Sequence, residues 1–424
     1  MTGGAPGGPR DETLQELLRS PLEDRPPRRT PPIAVAAAAF LVALAVIAVP
    51  ILWLGAGGSG DDESAADGGS SAPDPTETQE TPDVPGVLGY PTERALAPAV
   101  QAGAGRVVVL GGVEGSSGVM IGTTLAETWT YLTGDDLWYR ADEGAGPSAR
   151  FGQSAAYDAG SGLVVMFGGG TGQGRWCRVV RRCATGEQGD TWWFSPDTGV
   201  WNQAPGEDGP AARFGASAAY DSGSDRVVLF GGARMQDAGS TELFDDTWAY
   251  DVDTDTWTAM SPDRHPPLRA YGAMTYDPEV DRVLLFGGSG IDEEMDAAVW
   301  AYDVDADVWE PLVVEGDEPD PTWDTAFVYA DVIGKSVLIG GEGPLTREIA
   351  EGVTATEIGW SDQVWVFDAR TAAWSERGLF DGAIARHSAA YDPETESIVV
   401  HAFGHTLLYD PATDAWEDRT PGDE

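Results

Sequence analysis

The sequence predicts an all-β domain in which one four-stranded unit is repeated six times around an axis. Three observations carry that expectation. The first is a W-x-[YF]-x6-W register at Trp129/Tyr131/Trp138, Trp192/Phe194/Trp201, Trp248/Tyr250/Trp257, Trp300/Tyr302/Trp309 and Trp365/Phe367/Trp374, degenerate once as Leu407/Tyr409/Trp416. The second is a glycine pair that follows an apolar run, eleven positions after an anchor residue. It joins Val100 to Gly111-Gly112, Tyr157 to Gly168-Gly169, Tyr220 to Gly231-Gly232, Tyr276 to Gly287-Gly288 and Tyr329 to Gly340-Gly341, while Tyr391 leads to Ala402-Phe403. The third is composition: 55 Gly, 29 Pro and 16 Trp with 22% charged residues in 424 describe glycine-punctuated, aromatic-rich sheets rather than helices or a disordered chain.

Each unit divides into four strands, as in RFGASAAYD, DRVVLFGG, DTWAYDV and TDTWTAM between Arg213 and Met260. Turn-forming runs such as DSGSD and DVDTD separate strands 1 from 2 and 3 from 4, so the strands are antiparallel. Trp248 and Tyr250 stand two apart, which puts both on one face of strand 3, where they fill the gap to a neighbouring sheet. The glycine pair marks a backbone that needs positive φ or approaches a neighbour too closely for a Cβ. One such sheet cannot bury both faces, so the copies must stack.

A strand ending in Gly-Gly, then Tyr, then Trp, recurring about every 55 residues, resembles the kelch repeat of β-propellers. The resemblance covers roughly residues 91–420 and implies a six-bladed propeller with strand 1 of each blade innermost. Blades are expected at about 91–141, 148–204, 211–260, 267–312, 321–377 and 384–419, within a domain spanning 87–424. Both end copies hold four strands of their own, so closure is expected from packing of the first blade on the last.

Before the repeats, residues 33–54 are 22 residues without charge, long enough for a helix to cross a bilayer. Arg25, Arg28 and Arg29 precede this span and no Lys or Arg follows until Arg94, which places residues 1–32 in the cytoplasm and the repeats outside. Residues 55–86 read as a disordered acidic stalk. The expectation is a single-pass plasma-membrane protein with an extracytoplasmic propeller. The formal charge of −45 disfavours nucleic acid as a partner.

Candidate site residues follow from where the repeats vary. The strand 2–3 loops and the connections between blades share one face, and those loops differ widely in length, whereas the opposite turns are short and uniform. The loop of blade 2 carries RWCRVVRRC: Cys177 and Cys183 would form a disulfide presenting Arg175, Arg178, Arg181 and Arg182, an anion site or a local neutralisation of nearby acids. Arg150, Arg213, Arg269 and Arg386 recur just ahead of strand 1, near the channel mouth, where they would attract an acidic ligand. The kelch resemblance implies structural hydrogen bonding for such arginines as the alternative.

Several chemistries find weaker support. Asp251/Asp253/Asp255 and Asp303/Asp305/Asp307 imitate the start of a calcium loop but lack its glycine and its closing Glu. Galactose oxidase shares the kelch scaffold, and resemblance to it would require a copper site with two His and a Cys-modified Tyr. Of His265, His387, His401 and His405, only the last two sit close in sequence, with no third ligand evident, so no metal and no cofactor are expected. The reading is a non-catalytic module that binds a protein or glycan through its variable loop face. The alternatives are a carbohydrate-active enzyme of oxidase, epimerase or sialidase type, and a transmembrane sensor signalling through the cytoplasmic tail.

Overall fold

The computed structural model describes residues 84–421, apart from 104, 116–120, 142–145, 172–173, 176–185, 207, 237–239, 291–294, 296, 351–352 and 379–383. The expected tail, the span at 33–54 and the stalk up to 83 lie outside the described residues. Among the described residues every regular element is a strand, and no helix is long and apolar enough to cross a membrane.

Six antiparallel sheets form the wheel. Blade 3 is typical: Ser217–Asp221, Arg226–Phe230, Thr247–Asp251 and Thr256–Ala259 pair in sequence order. The first strand of every blade packs against the first strands of both neighbours, blade 6 against blade 1 included, so strand 1 is innermost. Blade 1 has an unforeseen fifth strand, Gly86–Leu88, paired antiparallel with the outer edge strand Leu137–Ala141. The globular domain therefore begins inside the segment expected to be stalk, and Val84 already packs against the core cluster that holds Tyr139 and Phe194. A three-residue strand between Pro and Gly carries too little periodicity to be seen in sequence.

The repeat residues hold the sheets together. Strand 3 faces strand 4 through paired rings, from Tyr302 stacked on Trp309 at 4.7 Å to Phe194 tilted on Trp201 at 5.1 Å. The phenols then anchor the 3–4 turns: Tyr131 donates to Asp136, and Tyr250, Tyr302 and Tyr409 donate to Asp255, Asp307 and Asp414 at 2.6–2.8 Å. The aspartates accepting these bonds are left-handed, with φ from 51° to 59°. The acidic turns that imitate a calcium loop are thus closed by their own hydrogen bonds.

Between blades, the strand 4 indole reaches back to a threonine opening strand 3 of the preceding blade. Trp201, Trp257 and Trp309 donate to Thr128, Thr191 and Thr247, each at 2.9 Å. Trp138 makes the same bond to Thr406 across the closure, where Ser388 also donates to the Ala97 carbonyl. First and last blades therefore close with the joint used elsewhere, in accord with closure by packing.

Trp374 and Trp416 depart from this threonine joint. The residues equivalent to the accepting threonine are Val299 and Val364, which carry no hydroxyl. Trp416 is also only partly buried, unlike Trp138 and Trp309, which are 2% and 1% exposed. It keeps the ring pairing of the repeat, tilted on Tyr409 at 4.8 Å, and packs against the apolar cluster that contains Val364. The degenerate copy thus preserves the contact within its blade and loses the threonine bond between blades.

The glycine pairs serve both purposes named for them. At Gly340-Gly341 φ is 59° and 109°, and a Cβ on Gly340 would lie 2.1 Å from the Ile384 carbonyl oxygen of the next blade. In blade 6 the pair is replaced by a tight turn, Phe403 at φ 52° and Gly404 at φ 79°, joining Ser397–Ala402 to His405–Asp410. That geometry demands two consecutive left-handed residues.

Candidate functional site

The face bearing the 2–3 loops is built from small ribbons. Blade 1 pairs Arg94–Ala95 with Val113–Glu114, blade 2 Gly170–Thr171 with Gly186–Glu187, and blade 3 Ala233–Met235 with Thr241–Leu243. Blade 5 raises the longest ribbon, Glu342–Ala350 paired with Val353–Trp360. Gly174–Arg175 of blade 2 pairs with Ile121–Gly122 of blade 1, so neighbouring loops are knitted together. That strand is all the structure gives of the arginine loop: the Arg175 side chain, Arg178, Arg181, Arg182, Cys177 and Cys183 lie outside the described residues.

Inside these ribbons the chain turns into each innermost strand through one left-handed residue per blade. They are Leu96, Gly152, Gly215, Tyr271, Asp324 and Arg386, with φ between 51° and 64°. Their backbones bond in sequence around the axis. Gly152 N–H donates to Leu96, Gly215 to Gly152, Tyr271 to Gly215, Asp324 to Tyr271 and Arg386 to Asp324, at 2.6–3.2 Å. The result is a collar of peptide groups around the channel mouth. Glycine adopts this conformation freely, whereas a side chain there carries a strain of about 1–2 kcal/mol.

This register corrects the grouping of four arginines. Arg94, Arg150, Arg213 and Arg269 are equivalent: each donates from Nη1 to the carbonyl of the first glycine of its own blade, Gly111, Gly168, Gly231 or Gly287, at 2.8–3.1 Å. The backbone carbonyls of Arg150, Arg213 and Arg269 accept from Gly112, Gly169 and Gly232 of the preceding blade. These residues therefore staple two blades at once. Arg150 and Arg213 also grip Asp190 and Asp246 with two bonds each, and Arg94 pairs with Glu127 at 2.9 Å. Thr322 and Ile384 take the staple position in blades 5 and 6, their carbonyls accepting from Gly288 and Gly341. Arg386 lies two residues farther on, in the collar. Of the four arginines expected at the mouth, it alone lines it.

The mouth opens onto a cavity of about 200 Å³ lined by the start of all six innermost strands. Half of the collar is small or apolar, and the polar part is contiguous: Tyr271, Asp324 and Arg386, with His387 beside them. Arg386 Nη2 donates to Glu342 Oε2 at 2.5 Å with both side chains buried, and its guanidinium lies 5.7 Å from the Trp360 ring. Asp324 is half-buried, open to the cavity and sunk in the wheel on its other sides. Burial pushes its carboxyl up to about 7, with the Arg386 charge opposing and that of Glu342 assisting. Tyr271 is pushed well above its ordinary value by burial and then by the Asp324 charge. Its ring sits over Gly215, where a Cβ would come within 3.0 Å of it.

The histidines divide. Burial lowers His387 to about 4, and neither of its ring nitrogens has a hydrogen-bond partner among the described residues. His401 occupies the place of Phe230, against Trp138 and Tyr90, and is likewise lowered to about 4. His405 is exposed at the turn beside Asp418 at 3.2 Å. Among the described residues no group of three or more His, Cys, Asp or Glu side chains is placed to hold a metal ion.

Sequence reasoning missed Tyr271, Asp324 and Glu342. The signal was present: aligned on the staple, the copies read RAL, RFG, RFG, RAY, TWD and IAR, so large polar residues replace glycine at the third position in the later blades.

Residues 181–401 match the model of the KLHDC2/KLHL20/DRC7 Kelch-repeats domain. Mei4-dependent protein 6 of Schizosaccharomyces pombe is 25% identical over 183 residues, 40% of this chain and 25% of that protein. The chain thus matches about a quarter of the length of that relative.

Proposed function

The chain belongs to the Kelch-repeat family, whose propellers are commonly protein-binding modules, and from that premise we propose that it is a non-catalytic module binding a protein or glycan through its loop face. The observation that carries this reading is the contrast between the two ends of the wheel. One end has turns closed by their own Tyr–Asp bonds, and the other raises ribbons of unequal length around a polar mouth. Rigid scaffolds present binding groups on such variable loops. The arginine loop holding Arg175, Arg178, Arg181 and Arg182 belongs to the same face, because the paired strands Gly170–Thr171 and Gly186–Glu187 bracket it. The uncharged run at 33–54 supports a membrane tether with the propeller outside the cell.

The test is to cut back the blade 5 ribbon beyond the Leu345–Glu357 pair to a two-residue turn like Phe403-Gly404, leaving Glu342 and Trp360 at its base in place. Partner capture by crosslinking to the full chain is expected to fail while the melting temperature holds. Unchanged capture would move binding off this face. Protease accessibility of the propeller on intact cells tests the tether, and complete protection would overturn the proposed orientation.

A further inference from the structure

The collar departs from glycine where the cavity turns polar, and the charges there do not balance. Arg386 is matched by Glu342 in a buried pair. Asp324, the collar residue before it, borders the cavity, and its folded carboxyl is governed by burial rather than by a donor. A carboxylate sunk in a protein without a donor is unfavourable and invites a cationic or hydrogen-bonding guest. The walls suit one narrow guest: small side chains line the cavity, Ala155, Ala218 and Ala273 with Ser154, Ser217 and Ser388, and the Tyr271 ring sits against Gly215. About 200 Å³ lies under the roughly 300–1,000 Å³ of drug-sized pockets and accommodates a single side chain or a small amine. The chain as a whole is strongly acidic, at −45, which favours cationic guests over anionic ones.

We propose that the channel mouth binds an alkylammonium group, seated on the Asp324 carboxylate with its carbon chain along the small side chains of the cavity, and supplied by a lysine side chain of a basic partner. The carboxylate supplies the charge, and the Tyr271 ring, lying against Gly215 with its hydroxyl near Gly152, forms the facing wall of the mouth. His387, held neutral, adds no competing positive charge. The Arg386 charge is offset by Glu342, so the guest meets a net negative mouth. The lysine source rests on the binding-module reading above. The ammonium site itself does not.

The experiment titrates the full chain with pentylammonium chloride, with pentanol as its uncharged counterpart, and with the peptide acetyl-Gly-Lys-Gly-amide, by calorimetry at pH 6 and pH 8. Asp324 changes charge in this window, while Tyr271 stays protonated and His387 neutral. Its carboxyl ionises as the pH rises through about 7, so pentylammonium should bind about tenfold more tightly at pH 8 than at pH 6. Asp324→Asn should lower its affinity at pH 8 at least tenfold and abolish the pH dependence, while pentanol binds equally to both proteins. Asn tolerates the left-handed backbone, and the wild-type pH comparison needs no variant. Equal affinity at both pH values, or for both proteins, would overturn the site. Peptide binding tighter than pentylammonium supports the lysine source, and weaker binding overturns that source. Failure of both probes while the shortened ribbon still abolishes partner capture would reject the ammonium site and leave the binding module standing.

Discussion

Blades 2 and 3 differ from blades 5 and 6 at the same three positions. In the first pair the staple, the collar residue and the acid before strand 3 are Arg150, Gly152 and Asp190, then Arg213, Gly215 and Asp246, joined by short bidentate bonds. In the second pair the staple is Thr322 or Ile384, and the collar holds Asp324 or Arg386. The indoles of blades 5 and 6 also lack a threonine to bond: the Trp374 Nε1–H has no acceptor among the described residues, and Val364 stands where Trp416 would need a threonine. One half of the wheel therefore puts its polar groups into holding sheets together, and the other turns them toward the mouth. Function is read most readily where a repeat abandons its structural duty.

The sharpest way to break this comparison is to remove a staple. Arg213 is 1% exposed, and truncating it strands the Gly231 carbonyl and the Asp246 carboxylate. Arg213→Ala should cost about 3 kcal/mol in urea denaturation, the low end for a broken buried pair because the Asp246 side chain is 38% exposed. Thr322→Ala should cost under about 1 kcal/mol. Equal losses would erase the distinction between the two halves.

Collar substitutions should have opposite signs in the two halves. Gly215→Ala, at φ 64° and against the Tyr271 ring, should destabilise by about 1–3 kcal/mol. Asp324→Gly relieves strain at φ 51° and should stabilise by about 1 kcal/mol at pH 8. Chemical denaturation of both variants reads the signs directly.

Two titrations sharpen the comparison further. The Asp324 carboxyl is raised from 3.8 to about 7, so the folded state holds its proton more tightly than the unfolded chain. That stabilisation is present below pH 3.8 and is lost as the pH rises toward and through 7. Asp324→Asn should therefore melt above the wild type at pH 8 and merge with it near pH 4. His401 is lowered from 6.5 to about 4, so its own contribution to stability falls as the pH drops from 6.5 toward 4, against the Asp324 trend. His401→Phe, restoring the residue type of Phe230, should flatten that acid limb with the smallest change at pH 7.

Much of the wheel was legible because its causes are local. The aromatic register fixes which strands pair, and each glycine pair answers to one neighbouring carbonyl. The staple was half legible. Arg150, Arg213 and Arg269 stood out by residue type, but Arg386 was joined to them by type as well, and only the carbonyl of Ile384 reveals the two-residue offset. Joints between blades, such as Trp257 to Thr191 or Trp138 to Thr406, link residues 66 and 268 apart, beyond the reach of any periodicity. For the same reason Trp416 reads as equal to the other five indoles until its neighbour in the preceding blade is known. The mouth was hidden likewise: Tyr271, Asp324 and Arg386 are each unremarkable within their own copy and acquire meaning only when the six copies meet.

The peptide collar has a mechanical consequence. Asp324 gives its N–H to Tyr271 and its carbonyl to Arg386, so a guest that steadies this residue braces a run of five linked peptide hydrogen bonds that reaches from blade 1 to blade 6. No blade can swing outward without severing a link of that run. Occupancy of one small opening would therefore be felt as slower breathing of the entire rotor, at sheets the guest never touches.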